Sequence, residues 1–189
     1  MKPISFAILK LLSDGQFHSG TQIAQFLGVS RTSVSNALRG IDEFGVTLYR
    51  VTGKGYRWIN PVQWLDKNAI NQYLAEYSQR FRITIDEVVE STNTILLNTS
   101  KAKNYDQSMI DVVVTELQTK GRGRRGRSWF SGLGDSLTFS LSWQFQQGVN
   151  FLAGLSLVVG IAIIRTFTSL GIREVALKWP NDLLFNSSK

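Results

Sequence analysis

Residues 118–129 read QTKGRGRRGRSW, and this stretch constrains the fold and the chemistry of the chain more than any other. It holds five cationic side chains and three glycines, with no acidic residue. Glycines let backbone N–H groups approach an anion closely, and arginines present forked donors that fit phosphate or carboxylate oxygens. The indole of Trp129 can stack on a flat ring. The stretch therefore predicts a loop that binds a nucleotide together with a carboxylic acid.

Three other interpretations of this loop are open from the residues alone. The glycine spacing matches the dinucleotide-binding fingerprint, and residues 121–128 nearly match a P-loop, with Arg127 where the lysine belongs. Both motifs require a helix to begin at once, whereas residues 129–135 (WFSGLGD) read as a loop. A disordered RNA-binding tail would lie in a polar flank, but apolar, strand-like segments lie on both sides here.

The composition indicates a globular protein with an anionic partner. The chain has 189 residues, 43% hydrophobic and 19% charged, with a net charge of +7. It has no cysteine and one histidine, His18, so neither a disulfide nor a protein-held metal site is expected. The most apolar stretch, residues 151–164, is too short to span a membrane and predicts a buried helix. Without a signal peptide, a cytoplasmic location with no membrane partner is expected.

The sequence of residues 1–61 predicts a helix-turn-helix domain. Apolar residues recur at helical spacing in residues 4–12. Ser19 can cap a second helix, with Gln22 completing a capping box, and Ser30 can cap a third. A glycine-containing turn joins the second and third helices, as the motif requires. The buried stripe of the third helix is expected to consist of Val34, Ala37, Leu38, Ile41 and Phe44.

A basic hairpin is expected to follow the three helices as a wing. Residues 46–51 and 56–59 are rich in β-branched and aromatic side chains, and they surround a Gly-Lys-Gly turn with Lys54 at its tip. DNA binding is predicted, with the third helix in the major groove and Lys54 on a phosphate; a domain used only for protein contacts is the alternative. The expected DNA-binding residues lie in the helix-turn-helix from Gly20 to Arg39, notably Arg31, Thr32, Ser33 and Asn36.

Beyond residue 61 the sequence predicts a linker helix and then a mixed α/β sheet, which assigns the chain to the α+β class. Residues 62–81 form the linker, with one helix over residues 64–77. Residues 82–189 alternate apolar runs with glycine loops, and ligands usually bind at such strand ends. The apolar alternation in residues 136–145 predicts a strand with one buried face. The other expected elements are strands over 83–89, 111–117 and 174–177 and helices over 94–98 and 150–170.

Three motifs in a fixed order carry a resemblance to a known family. They are residues 90–93 (ESTN), residues 118–129, and residues 178–183 (KWPNDL). With a winged helix-turn-helix in front of them, the chain resembles the bacterial biotin–protein ligases that also act as repressors of biotin operons. The resemblance covers essentially the whole chain. It rests on the second and third motifs together, because either one alone is less specific.

The resemblance implies an ATP-dependent ligase. Such an enzyme joins biotin to ATP, giving biotinyl-5′-adenylate and pyrophosphate, and transfers biotin to a lysine of the biotin carboxyl carrier domain of acetyl-CoA carboxylase. Mg²⁺ would accompany ATP, with no metal held by the protein itself. With adenylate bound, the family forms a homodimer that binds operator DNA and represses transcription. Since a carboxylate attacks a phosphate, fixed cations are expected to do most of the catalysis, without a protein nucleophile.

The resemblance also implies roles for individual residues. The catalytic residues would be Lys178 and Arg124. The biotin site would contain Ser91, Thr92, Asn93, Gln118, Arg122, Gly123, Arg124 and Lys178. The adenylate site would contain Arg122, Arg124, Arg127 and Trp129. Trp179 is expected to be a core residue.

The chain departs from the family pattern at two points, and two alternatives are open. Lys120 occupies a position where family members more often have a small residue. The family continues past Lys189 into further strands and a small β-barrel, so a C-terminally truncated ligase domain with little activity of its own is expected. One alternative is a DNA-binding regulator with a vestigial ligase half. The other is a lipoate-type acyl ligase, against which the arginine–glycine loop argues.

Overall fold

The computed structural model describes residues 1–60, 62–102, 106, 108–146, 148 and 152–186. The chain forms two compact units, Met1–Trp143 and Gln144–Lys189. Helices precede a mixed sheet in the first unit, which confirms the α+β class. Domain boundaries after residues 61 and 81 stay a prediction. No helix among the described residues is both long and apolar enough to cross a bilayer.

The N-terminal elements form a winged helix-turn-helix, as predicted. They are α1 (Pro3–Leu12), α2 (Gly20–Leu27), α3 (Arg31–Ala37), a 3₁₀ turn (Ile41–Phe44), β1 (Leu48–Val51) and β2 (Gly55–Trp58). The predicted capping box is present, since Ser19 Oγ accepts from the Gln22 amide at 3.1 Å and Gln22 Oε1 accepts from the Ser19 amide at 2.9 Å. Ser30 Oγ caps α3 by accepting from the Ser33 amide at 3.0 Å.

The third helix is shorter than its apolar stripe suggested. Gly40 has φ 72°, a left-handed conformation that interrupts the helix, so Ile41 and Phe44 lie on a separate 3₁₀ turn. Val34, Ala37, Leu38 and Ile41 are nevertheless buried. The stripe therefore identified core residues correctly but not the end of α3.

The core of the winged helix extends into the central sheet. Among the residues that the structure describes, fourteen buried hydrophobic residues form one cluster, and two of them, Leu117 and Leu133, come from the central part of the chain. The Leu133 amide donates to the Phe44 carbonyl at 2.8 Å. Trp64 joins the same cluster, with its ring centroid 5.0 Å from that of Phe6. The winged helix and the strand that carries Leu117 thus share one apolar core.

The linker contains a helix, as predicted, but this helix is shorter than the expected range of residues 64–77. Residues 62–66 form neither helix nor strand, and α4 spans only Lys67–Leu74. Asp66 starts this helix, because its Oδ1 accepts from the Asn68 amide at 2.7 Å. Ala75 has φ 45° and ends it, and a 3₁₀ helix over Ala75–Arg80 follows.

Three strands of the described chain form the central sheet, in which the strand over Ile110–Gln118 lies between the strands over Phe81–Val89 and Thr138–Ser142. Strand β3 (Phe81–Val89) is parallel to β4 (Ile110–Gln118), and α5 (Thr92–Thr99) connects them. Strand β7 (Thr138–Ser142) pairs antiparallel with β4, with Val114 opposite Phe139. Two short strands, β5 (Gly121–Arg122) and β6 (Ser128–Trp129), form a small hairpin between β4 and β7.

The predicted buried face of residues 136–145 is wrong in this structure. Leu137, Phe139, Leu141 and Trp143 are 68%, 45%, 50% and 60% exposed. Alternate side chains of a strand face opposite sides of its sheet. Ser140 contacts Thr92 at the start of α5, so the apolar residues lie on the side away from α5. No described element of the first unit covers that side.

The second unit contains α6 (Leu155–Ser169) and the hairpin of β8 (Val175–Lys178) and β9 (Asp182–Phe185). Gly160 of α6 lies against β8, since a Cβ on it would be 2.5 Å from Leu177 Cδ1. Gly160 is also the one buried residue of α6, so the predicted buried helix is wrong, and Trp179, predicted as core, is 78% exposed. The predicted start of α6 near residue 150 lies outside the described residues.

Candidate ligand-binding cleft and DNA-binding face

A cleft of about 720 Å³ opens where β3 and β4 end. Because these strands are parallel, their carboxyl ends meet, and Val89 pairs with Gln118 there. Residues 90–93 continue from β3 and residues 119–129 from β4, so the two sequence motifs lie side by side. The cleft is lined by Ser91, Thr92, Asn93, Gln118, Arg122, Gly123, Arg124, Trp129 and residues 136–140.

The cleft brings together most of the residues that the sequence predicted. All of the expected biotin-site residues line it except Lys178, and Trp129 lines it as well. Arg127 lines a second depression of about 600 Å³, together with Lys120 and Gly126, and this depression shares Ser91 and Arg122 with the cleft. Lys178 ends β8 in the second unit, and its participation in the cleft stays a prediction.

A network of neutral hydrogen bonds forms the floor of the cleft. Gln118 Oε1 accepts from the Thr92 amide at 2.9 Å and from Thr92 Oγ1 at 3.2 Å. Thr92 Oγ1 also lies 2.8 Å from Ser140 Oγ. Ser91 and Thr92 are buried, and Ser91 Oγ caps α5 at the Thr94 amide, 3.4 Å away. Because the carbonyl of Gln118 is engaged twice, its NH₂ group remains to donate to a ligand.

The arginine–glycine loop is an ordered hairpin. Gly121 pairs with Trp129 and Arg122 with Ser128, and the Gly123 amide donates to the Arg127 carbonyl at 2.7 Å. None of the described residues 127–146 is helical, so no helix begins directly after the loop, which excludes both the dinucleotide fingerprint and the P-loop interpretation. The pairing of its two strands disfavours a disordered tail. At Gly121 a Cβ would lie 2.4 Å from the Trp129 carbonyl oxygen, so the close approach of the two strands requires glycine.

The loop carries a concentrated positive charge, part of which is neutralised at its base. Lys120 Nζ forms an ion pair with Glu90 Oε1 at 2.5 Å, and the Lys120 amide donates to the Glu90 carbonyl at 2.8 Å. Lys120, the departure from the family pattern, therefore connects the two segments that bound the cleft. Arg122 donates through Nη2 to Thr94 Oγ1 on α5. No group of three His, Cys, Asp or Glu side chains that could hold a metal occurs in the described part of the chain.

Sequence reasoning missed the contributions of Thr94 and of β7. Thr138 and Ser140 line the cleft, and Ser140 contacts Thr92. The alternation of residues 136–145 contained a signal, because it puts the polar residues on the face opposite the apolar ones. The antiparallel register of β7 against β4, which brings Ser140 to α5, was not readable from the sequence.

The predicted DNA-binding residues lie on neighbouring elements of the winged helix. Arg31, Thr32 and Asn36 are exposed on α3, and Lys54 is exposed at the wing tip. Ser33 is half-buried, and its Oγ lies 2.8 Å from the capping Ser30 Oγ. Ser33 therefore takes part in the cap of α3, whereas the other four side chains face solvent.

Two protein families match the two parts of this chain, in agreement with its fold and its cleft. Residues 85–189 match the biotin/lipoate A/B protein ligase family, and residues 5–57 match an HTH domain. Because the ligase match covers more than half of its residues, the chain belongs to the biotin/lipoate A/B protein ligase family, with a helix-turn-helix domain in front.

Particular relatives share nearly the whole of this chain. It is 38% identical over 180 residues to the bifunctional ligase/repressor BirA of Salmonella typhimurium, covering 95% of this chain and 54% of that protein. It is 36% identical over 186 residues to BirA of Escherichia coli, covering 98% and 56%. The chain thus spans about half the length of the curated relatives it matches. A solved biotin protein ligase from Aquifex aeolicus, in complex with biotin and ATP, is 32% identical with a TM-score of 0.44 and covers 55% of this chain and 41% of that one.

Proposed function

We propose that this chain carries the biotin-activating site of an ATP-dependent biotin–protein ligase and the DNA-binding half of a biotin-responsive repressor. The observation that supports the first part most is the cleft, where the motifs at residues 90–93 and 118–129 converge. Both halves also occur together in the ligase/repressors that resemble the chain along nearly its whole length.

The floor of the cleft suits the neutral head of biotin. A cyclic urea presents N–H donors and a carbonyl acceptor on one edge. Thr92 donates its hydroxyl proton to Gln118, so Ser140 donates to Thr92, and the hydroxyl oxygen of Ser140 is left to accept from the ligand. Gln118 offers an NH₂ donor. A buried ligand acceptor needs such partners, because an unsatisfied buried polar group costs about 1–3 kcal/mol.

The rim of the cleft suits the acid and the nucleotide. Arg122 and Arg124 would hold the biotin carboxylate and the α-phosphate, whose mutual repulsion is the main barrier to their approach. Trp129, which is half exposed, would pack near the adenine, and Arg127 would contact the phosphates from the neighbouring depression. Lys178 would stabilise the negative charge that develops at the acyl phosphate. ATP would enter as its Mg²⁺ complex.

The product of this site would be biotinyl-5′-adenylate, and the proposed acceptor is a lysine of the biotin carboxyl carrier domain of acetyl-CoA carboxylase. The proposed repressor is a homodimer on operator DNA, because two winged helices at a fixed spacing are needed to read two half-sites. Since ATP, the carrier and operator DNA are found in the cytoplasm, we propose that the protein acts there.

Biotin-dependent exchange of labelled pyrophosphate into ATP tests the enzymatic part of this proposal. The wild-type chain should catalyse slow, biotin-dependent exchange, and Arg124→Ala should change the reaction by releasing adenylate, which a free amine traps. Lys67→Ala, an exposed lysine on α4, is the charge-matched control. Exchange with lipoate but not biotin would favour the lipoate-ligase alternative. Duplex DNA binding without any exchange would favour a regulator with a vestigial ligase half.

A further inference from the structure

Two cationic side chains of the wing lie near the aromatic ring of Phe17. Lys54 Nζ and Arg57 Cζ each lie 5.8 Å from the centroid of the Phe17 ring. Phe17 belongs neither to the hydrophobic core of the described residues nor to the half-buried side chains that pack against that core. Its ring therefore contributes little to the core, and its neighbours are the basic side chains of the wing.

Backbone hydrogen bonds fix Phe17 relative to the wing. The next residue, His18, donates through its amide to the Tyr56 carbonyl at 2.9 Å and accepts from the Tyr56 amide at 2.8 Å. The two segments are so close that a Cβ on Gly55 would lie 2.1 Å from the His18 carbonyl oxygen. The loop before α2 is thus hydrogen-bonded to β2, with Phe17 beside Lys54 and Arg57.

The three cations of the wing differ in their surroundings. Arg50 is engaged within the fold, because its Nη2 donates to the Leu38 carbonyl at 2.6 Å. Lys54 and Arg57 are exposed, and within the described part of the chain neither forms an ion pair. The nearby carboxylate of Asp14 is hydrogen-bonded to His18 instead, at 2.8 Å. Two unpaired cations therefore face solvent together.

We propose that Arg57 is a second phosphate-binding residue of the wing, and that Phe17 is a positioning residue that holds Lys54 and Arg57 as a pair for the DNA backbone. The inference rests on the proposed DNA-binding function. The negative face of an aromatic ring attracts cations, so the ring restricts two long side chains before DNA arrives. Less conformational entropy is then lost on binding, and the wing neutralises two phosphates instead of one.

Fluorescence anisotropy with a labelled random-sequence duplex, at several salt concentrations, tests both parts on the full chain. Phosphate contacts do not depend on sequence, so no operator is needed. Arg57→Ala should lower the slope of log affinity against log salt by about one, as Lys54→Ala should. Phe17→Leu should weaken binding about two- to fivefold, the equivalent of one exposed cation–π contact, whereas Phe17→Tyr should retain wild-type binding. Lys67→Ala, on α4, should change neither quantity.

A readout in the absence of DNA separates positioning from general stability. The Phe17 ring current should shift the Arg57 side-chain NMR signals, and Phe17→Leu should abolish that shift while the melting temperature stays close to that of the wild type. An unchanged salt slope in Arg57→Ala, or unchanged affinity in Phe17→Leu, would overturn the inference while leaving wild-type DNA binding intact. A wild-type chain that binds no duplex at all would contradict the proposed DNA-binding function itself, and this inference with it.

Discussion

The winged-helix region, residues 1–60, contributes most of the buried apolar cluster, whereas the rim of the cleft, formed by residues 118–140, exposes large apolar side chains. Phe6, Leu12 and Leu38 are almost completely buried. Trp129 and Phe139, by contrast, are about half exposed, and they lie beside exposed arginines. The first region is stabilised by its own core, whereas the second presents apolar and cationic groups to a ligand or a partner.

The two regions nevertheless meet at both ends of the arginine–glycine loop. Leu117 precedes Gln118, Leu133 follows Trp129 by four residues, and both leucines belong to the core shared with the winged helix. A loop anchored in this way can be open and highly charged and still keep its conformation. The stability of the cleft therefore derives partly from residues that do not line it.

The largest expected effect is on the free energy of unfolding, and it comes from truncating a leucine to alanine in each of the two regions. Leu38→Ala should lower the free energy of unfolding by about 2–5 kcal/mol, because Leu38 is fully buried and its truncation leaves a cavity. Leu141→Ala, on the exposed face of β7, should change it by no more than about 0.5 kcal/mol. Urea denaturation measures both. Similar losses for the two variants would mean that the face of β7 is covered in solution.

A substitution at Gly121 tests whether the cleft depends on the shape of the loop. The added Cβ would lie 2.4 Å from the Trp129 carbonyl oxygen and 2.7 Å from Gln118 Nε2, so both contacts must be relieved. Gly121→Ala should therefore reduce biotin-dependent pyrophosphate exchange by about 10²-fold, the usual effect of misplacing a site by an ångström. Gly148→Ala is the matched control, because a Cβ there meets nothing within 4 Å. Equal rates for the two variants would contradict the proposed role of the loop.

A smaller effect is expected from the hydrogen bond that Arg122 donates to Thr94. Thr94→Val removes the acceptor and should weaken biotin binding by about three- to tenfold, because a partly exposed hydrogen bond contributes about 0.5–1.5 kcal/mol. Thr94→Ser keeps the acceptor and should bind like the wild type. Calorimetric titration with biotin compares them. Tighter binding by Thr94→Val would show instead that Thr94 withholds Arg122 from the ligand.

The smallest effect concerns Glu116, a half-buried residue of β4 whose Oε1 accepts from the Leu65 amide at 2.7 Å. Burial raises the pKa of the Glu116 carboxyl above its usual value of 4.5, although that hydrogen bond lowers it. Between pH 4.5 and the raised pKa, the Glu116 carboxyl therefore binds more protons in the folded state than in the unfolded state. The contribution of this group to stability is therefore lost as the pH rises through that window.

Glu116→Gln isolates this contribution, because the amide oxygen still accepts from Leu65 while the titration is removed. The stability of the wild type relative to the variant should fall as the pH rises above 4.5. Urea denaturation across that pH range measures the difference. A difference that stayed constant, or that grew with pH, would contradict the raised pKa.

Local signals explain what the sequence predicted well. The capping box of Ser19 and Gln22 and the cap at Ser30 involve residues only three apart, so the starts of α2 and α3 were readable. The cleft was readable because its two motifs directly follow β3 and β4, whose parallel ends meet. The family resemblance implied which residues would lie together, and the parallel ends of β3 and β4 place most of them around one cleft.

Long-range contacts explain what the sequence did not predict. The core that joins Leu133 to Phe44 depends on segments about ninety residues apart, and no local pattern encodes it. The exposure of Leu141 depends on which element covers β7, which its own alternation cannot specify. The linker helix is shorter than predicted because Asp66 caps it at residue 67, although this local N-cap signal is present in the sequence.

Calorimetric titration of the chain with biotin, and separately with lipoate, tests the central claim most directly. Biotin should bind at one site, and lipoate should not bind. Gln118→Ala should abolish or strongly weaken biotin binding, because Gln118 bonds Thr92 in the floor of the cleft. Gln72→Ala, an exposed residue of α4, should bind like the wild type. Unchanged biotin binding by Gln118→Ala, or equal binding of lipoate, would contradict the assignment of this cleft to biotin.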